Sequence, residues 1–232
     1  MKKVYICGDS FGTNDPEYSN KSWVDQLTAR LKNTATVINL SRVCASNLHI
    51  ALQVDQAIED QADFIIYLAT ASTREIVKLR SLKQHKKLLD RIVDITKPGH
   101  TPDLTSYSFG SLDDTTLFNS AQLLLLKQYH AEFFDIDVEV YKNRLIIEAA
   151  LEHLVDSHIP FLFDRGGFEH PSFLNSTPVE YFKKYAKFFS EINLWEWVVN
   201  QPMTHRPYYH IKDMQVHTRI ADYYYNIIIS QL

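Results

Sequence analysis

A chain of 232 residues with 24 Lys and Arg against 28 Asp and Glu carries a formal charge of −4. That length can bury one full core, and the charge gives no electrostatic reason to bind nucleic acid or an anionic membrane. No apolar stretch approaches the ~20 residues of a membrane helix, and the two cysteines, Cys7 and Cys44, make neither a disulfide framework nor, without a Cys/His cluster at ligand spacing, a zinc site. The expectation is a protein without metal or cofactor in a reducing, cytoplasmic setting. Met-Lys-Lys running into a short strand lacks the longer apolar segment of a signal peptide.

Val4–Cys7 is an apolar run of strand character that drives into Gly8-Asp9-Ser10. Ser22 can cap a helix whose Trp23, Leu27 and Leu31 recur at i, i+4, i+8. Thr36–Leu40 reads as a second strand. Asn47 opens a second helix with Ile50, Val54, Ala57 and Ile58 as its stripe. Asp63–Ala69 is nearly continuously apolar, as a buried parallel strand is. This alternation predicts an α/β fold of three layers, α/β/α, around a mostly parallel, flavodoxin-like sheet of about five strands.

The middle is less regular. Helix is predicted from near Thr73 through a Lys/Arg-rich, solvated face to about Ile95, followed by a long loop over Lys97–Leu117. Two helices follow, roughly Asn119–Phe133 and Val138–Ser157, and Pro160–Asp164 reads as strand four. The connection between strands three and four is too long for one crossover helix. Residues 1–232 are therefore expected to form a single domain with a helical insertion at about 75–158. The Leu123–Leu126 run within it reads as core, with a subunit contact as the other possibility.

Thr177–Ile192 looks helical, and Asn193–Val199 reads as a short fifth strand. Asp213 is placed to cap a final helix with Val216, Ile220, Tyr223 and Ile227 on its apolar stripe. His210 stands on the loop before that helix, on the same rim of the sheet as Ser10. A serine at the end of the first strand of an open α/β sheet lies where ligands bind, and a histidine on that rim is placed to take its proton. Gly-Asp-Ser is equally good turn chemistry, and His210 can equally be a surface or tyrosine-packed residue.

These blocks resemble the SGNH (GDSL-type) hydrolase superfamily. Gly8-Asp9-Ser10 matches its first block, Asn39–Ser46 occupies its second, and His210 stands where its last histidine does. The wording around Cys7–Phe11 and Ser22–Leu27 also looks like a bacteriophage-encoded variant, which implies a virion or host-cytoplasm setting. The resemblance implies ester hydrolysis through a seryl ester. Ser10 would be the nucleophile and His210 the base, and the N–H groups of Ser10 and Cys44 would hold the oxyanion with a hydroxyl from Thr70 or Ser72. Arg74 would bring positive charge and Asp9 would shape the turn.

The chain departs from that pattern in three places. Cys44 stands where the family has an oxyanion-hole glycine. Ala69-Thr70-Ala71-Ser72-Thr73-Arg74 replaces the Gly-x-Asn-Asp block, and Pro207 stands where the acid of Asp-x-x-His belongs. Asp213 turning back, a backbone carbonyl, or a plain Ser-His dyad can fill the third role. His217, one residue too far from Asp213 for the motif, falls where many family members carry a second histidine on the helix.

The resemblance leaves the substrate among acetylated sugars, lipids and thioesters. Tyr208, Tyr209, Trp195 and Trp197 suit stacking on a sugar, which points to a small ester or acylated saccharide as partner, unless the rings are core. The reading from another class is a catalytically impaired module with a structural or recognition role, for example in a virus particle. Oligomeric state has no signature here.

Overall fold

The structure is a computed structural model that describes residues 1–15, 18, 20–43, 45–71, 74–78, 104–108, 120–166, 183–192, 194–199, 211 and 213–232. Among these residues, four parallel strands form the main sheet. They are β1 (Lys2–Cys7), β2 (Ala35–Asn39), β3 (Phe64–Leu68) and β6 (Phe161–Asp164), in the order β2-β1-β3-β6. Val4 lies opposite both Val37 and Phe64, and Ile66 opposite Leu162.

Because side chains alternate along a strand, β1 feeds two cores. Val4 and Ile6 enter one, with Trp23 and Leu27 of α1 (Trp23–Leu31) and Ile220 and Tyr224 of α6 (Met214–Gln231). Tyr5 and Cys7 enter the other, with Ile50 and Val54 of α2 (Asn47–Glu59) and Ile147 and Leu151 of α4 (Ile136–Ser157). The result is the expected three-layer α/β/α arrangement with flavodoxin-like strand order.

The helix signals translate into caps. Ser22 accepts from Asp25 N and Asp25 bonds back to Ser22 N, a complete capping box. Ser46 caps α2, Asp135 caps α4 and Asp213 caps α6. The predicted helix after residue 119 is α3 (Ser120–Glu132).

Six expectations change. The helix predicted from Thr73 gives way at Arg74–Lys78 to strand β4, which pairs antiparallel with β5 (Leu104–Ser108), inside the stretch read as loop. The Lys/Arg-rich residues 79–95 lie outside the described residues. Of the helix expected over Thr177–Ile192, the described part is a 3-10 helix at Lys183–Phe188.

The fifth strand expected at Asn193–Val199 is helix α5 (Leu194–Val199). Among the described residues, the sheet edge beyond β6 is met by a parallel bridge, Phe163 to Phe189. At the end of β6 the buried Asp164 carboxylate accepts the Leu194 N–H at 3.1 Å, giving the first amide of this helix a partner from outside it.

The Leu123–Leu126 run is not core. Leu123 is buried, but Leu124 and Leu125 are 59% and 66% exposed. On α6 the buried stripe runs through Tyr224 and Ile228, with Tyr223 and Ile227 half-buried at its edge.

Candidate active site

The strand order reverses at β1, which has β2 on one side and β3 on the other. In open α/β sheets the crevice at that reversal, beyond the strand ends, is the ligand site. Ser10 lies there, at the head of a 3-10 turn (Ser10–Gly12) that follows β1 directly.

The turn is built from Asp9. Its Oδ1 accepts the Phe11 N–H at 2.9 Å and its backbone oxygen accepts the Gly12 N–H at 3.1 Å. Its Oδ2 accepts the Thr70 hydroxyl at 2.5 Å. Thr70 follows β3, so this bond ties the two sides of the crevice together. Asp9 therefore holds the turn through both carboxylate oxygens and its backbone carbonyl.

Glycines flank Ser10 because the chain is crowded there. A Cβ on Gly8 would lie 2.9 Å from the Cβ of Leu68, and one on Gly12 2.3 Å from Ser41 Oγ. Gln53 of α2 holds Gly8 at both ends, accepting its N–H at 2.7 Å and donating to its carbonyl at 3.3 Å.

The other expected residues fall as follows. Thr70 is fully buried and its hydroxyl proton goes to Asp9, while its own backbone is clamped by Asn47. Asn47 Oδ1 accepts Thr70 N–H and Asn47 Nδ2 donates to Thr70 O, each at 2.9 Å. Arg74 begins β4, in register with Ser108. Asp213 Oδ1 accepts Gln215 N–H at 2.8 Å, so its carboxylate serves the start of α6. Trp197 packs half-buried against the core beside α6. Cys44, Ser72, His210, Tyr208 and Tyr209 lie outside the described residues.

A hollow opens beside Ser10, walled by Thr13, Asp15, Trp23, Ile211 and His217. His217, in the first turn of α6, is 1% exposed. Its Nδ1 accepts the Trp23 N–H at 3.0 Å, which leaves the ring proton of the neutral form on Nε2, 3.9 Å from Asp15 Oδ2. Burial lowers the His217 pKa from 6.5 to about 4, against the Ile211 carbonyl and the charges of Asp25 and Asp213, which raise it. With Nδ1 occupied and Nε2 protonated, this ring is not set to take a proton from Ser10.

Sequence reasoning did not single out Asp15, Asn47, Gln53 or Asp164. Asn47 and Gln53 had one available signal, as amides on a helix otherwise read by its apolar stripe.

No protein-family model matches the chain, and no curated protein matches its sequence. Among solved structures, the psychrotrophic esterase EstA from Pseudoalteromonas sp., in a form inhibited by monoethylphosphonate, superposes with a TM-score of 0.56 at 9% identity. That match covers 99% of this chain and 98% of the esterase. A protein from Desulfitobacterium hafniense DCB-2 described as lipolytic and of the G-D-S-L family superposes at 0.52 and 11% identity, over 98% of this chain and 99% of its own. Over nearly its whole length, then, the chain shares the α/β fold of these two proteins.

Proposed function

We propose that the chain is a serine hydrolase of the SGNH type that cleaves esters through a Ser10–His210 pair. The observation that carries this reading is the position of Ser10, at the head of the turn after β1 where the strand order reverses, in a fold shared with esterases. Ser10 Oγ attacks the ester carbonyl carbon while His210 takes its proton. The tetrahedral intermediate collapses as His210 returns that proton to the departing alcohol. Water, deprotonated by the same histidine, then attacks the acyl-serine and releases the acid.

The oxyanion is held by the N–H groups of Ser10 and Cys44, in keeping with the role of backbone donors in acyl transfer. Because the Thr70 hydroxyl is donated to Asp9, Thr70 supports the turn and Ser72 is the remaining hydroxyl candidate. Asp213 Oδ1 serves the start of α6, so the third role falls to its other oxygen, to a backbone carbonyl, or to no group at all. A site lacking its third member retains roughly 10³–10⁴-fold acceleration in the best-studied triads. An acylated saccharide is the substrate class we favour, on the strength of Tyr208 and Tyr209 next to His210 in sequence.

The commitment of Thr70 to Asp9 also gives weight to a second reading, a domain that keeps the fold as a recognition or structural module. One experiment separates them. Hydrolysis of 4-nitrophenyl acetate is expected for the wild type and is lost in Ser10→Ala and His210→Ala. A phosphonate ester, the class that inhibits the Pseudoalteromonas esterase, is expected to add to Ser10 and raise the protein mass accordingly. Equal rates in wild type and Ser10→Ala, with no adduct, would leave the module reading standing.

A further inference from the structure

We infer that His217 is a positioning residue for the nucleophile turn, acting through Trp23 from the opposite end of the chain. The inference rests on the reading of Ser10 as nucleophile. Three bonds carry it. His217 Nδ1 accepts the backbone N–H of Trp23 at 3.0 Å. The indole Nε1–H of Trp23 donates to the Phe11 carbonyl at 2.8 Å. The Phe11 N–H in turn donates to Asp9 Oδ1 at 2.9 Å. The imidazole is thus joined to the residue that follows Ser10 through one rigid side chain.

The first of these bonds is unusual in its supply. Trp23 is the first residue of α1, and the leading amides of a helix have no partner within it. The helix's own cap, Ser22, serves Asp25. A side chain from the C-terminal helix, almost 200 residues later, serves Trp23 instead. The tautomer this imposes, with the lone pair of Nδ1 spent on Trp23 and the proton on Nε2, suits holding and not proton transfer.

The linkage has little slack. Trp23 and His217 are each 1% exposed. The Trp23 ring packs on Tyr224 at 5.1 Å between centroids, and Tyr18 stands edge-on to the imidazole at 5.0 Å. A shift of the imidazole is therefore passed to α1 and, through the indole, to the turn that aims Ser10. The same hollow that exposes Ser10 is walled by Trp23 and His217.

The test uses three variants and the 4-nitrophenyl acetate assay. His217→Leu removes the acceptor and Trp23→Phe removes the indole donor. His217→Asn keeps an acceptor, because Asn Oδ1 takes the place of Nδ1. Losing one such bond is expected to lower kcat about tenfold in His217→Leu and in Trp23→Phe, with KM within about twofold. His217→Asn is expected to keep most of the activity. The double variant His217→Leu/Trp23→Phe is expected to be little worse than either single, since both cut the same connection.

Multiplying losses, or His217→Asn failing as badly as His217→Leu, would overturn the inference. A second readout needs no turnover. Hydrogen exchange at the Gly12 amide, which donates to Asp9 O, is expected to accelerate relative to the Ile65 amide in His217→Leu and Trp23→Phe, and not in His217→Asn. If Ser10→Ala proves as active as wild type, the catalytic reading fails and the exchange pattern still decides whether His217 holds the turn. Uniform acceleration at both amides would reduce His217 to an ordinary core residue.

Discussion

The Thr70 hydroxyl meets the Asp9 carboxylate at 2.5 Å, and neither residue exposes any surface. One stands after β1 and the other after β3, so a single bond spans the crevice in which Ser10 sits. A buried carboxylate that loses a donor bears the desolvation cost uncompensated. Thr70→Val keeps the shape and removes the hydroxyl. It is expected to cost about 1–3 kcal/mol in urea unfolding, and Thr70→Ser, which restores the donor, less than half of that. A neutral Thr70→Val would mean the bond contributes nothing.

Gly12 closes the same turn against the loop after β2. Asn39 Nδ2 donates to its carbonyl at 2.8 Å, and a Cβ would meet both Oγ and Cβ of Ser41 at 2.3 and 2.9 Å. Gly12→Ala must therefore push the β2 loop away or distort the serine turn. The expected cost is about 1–3 kcal/mol, typical of overpacking, measured as a shift in the urea midpoint. Ser41→Gly in the same chain removes both clashing atoms and is expected to recover part of the loss. No recovery would place the strain elsewhere.

The strands of the main sheet were legible because three of them are short apolar runs ending in turn chemistry, and α1, α2 and α6 because their stripes follow helical spacing. What escaped reading was decided by contacts distant in sequence. The short, mostly apolar stretch Leu194–Val199 reads as a strand, yet it is helical, and its first N–H is met by the Asp164 carboxylate, 30 residues earlier. The ribbon of β4 and β5 sits outside the main sheet, so its strands lack the apolar run that marks a buried one. Around the candidate site, the turn that follows β1 could be read from Gly-Asp-Ser in context. The hold of His217 on Trp23 could not, because it joins residues 194 positions apart.

Two buried groups give the protein opposing pH dependences. Burial raises the pKa of Asp164 from 3.8 to about 6, against the bonds from Leu194, Tyr224 and Gly166. The folded state then holds a proton the unfolded chain has released, so this contribution to stability is full below pH 3.8 and lost as the pH rises to 6. The lowered pKa of His217, about 4 in place of 6.5, works the other way: its contribution is full above pH 6.5 and lost as the pH falls to 4. Each is worth on the order of 3 kcal/mol, so between pH 4 and 6 they offset. Relative to wild type, His217→Asn is expected to lose stability as the pH rises across that window and Asp164→Asn to gain it. Urea midpoints at pH 4.5 and 6.5 check the signs, and parallel profiles for all three proteins would refute the assignment.

Tyr224 supplies the last argument, because its bond should matter more when Asp164 is charged. Its hydroxyl donates to Asp164 Oδ2 at 2.8 Å, while Oδ1 takes Gly166 N–H at 2.7 Å and Leu194 N–H at 3.1 Å. Above pH 6 the carboxylate is ionised and fully buried, and a hydrogen bond to a charged group is worth about 1.5–3 kcal/mol against about 1 for a neutral one. Tyr224→Phe keeps the ring packed on Trp23 and removes only the donor. Its cost is therefore expected to be larger at pH 8 than at pH 5, by about 1 kcal/mol or more. In the Asp164→Asn background that pH dependence should vanish, since the amide does not titrate. A Tyr224→Phe cost that stays constant from pH 5 to pH 8 would show that Asp164 does not change its charge in the folded protein across this range.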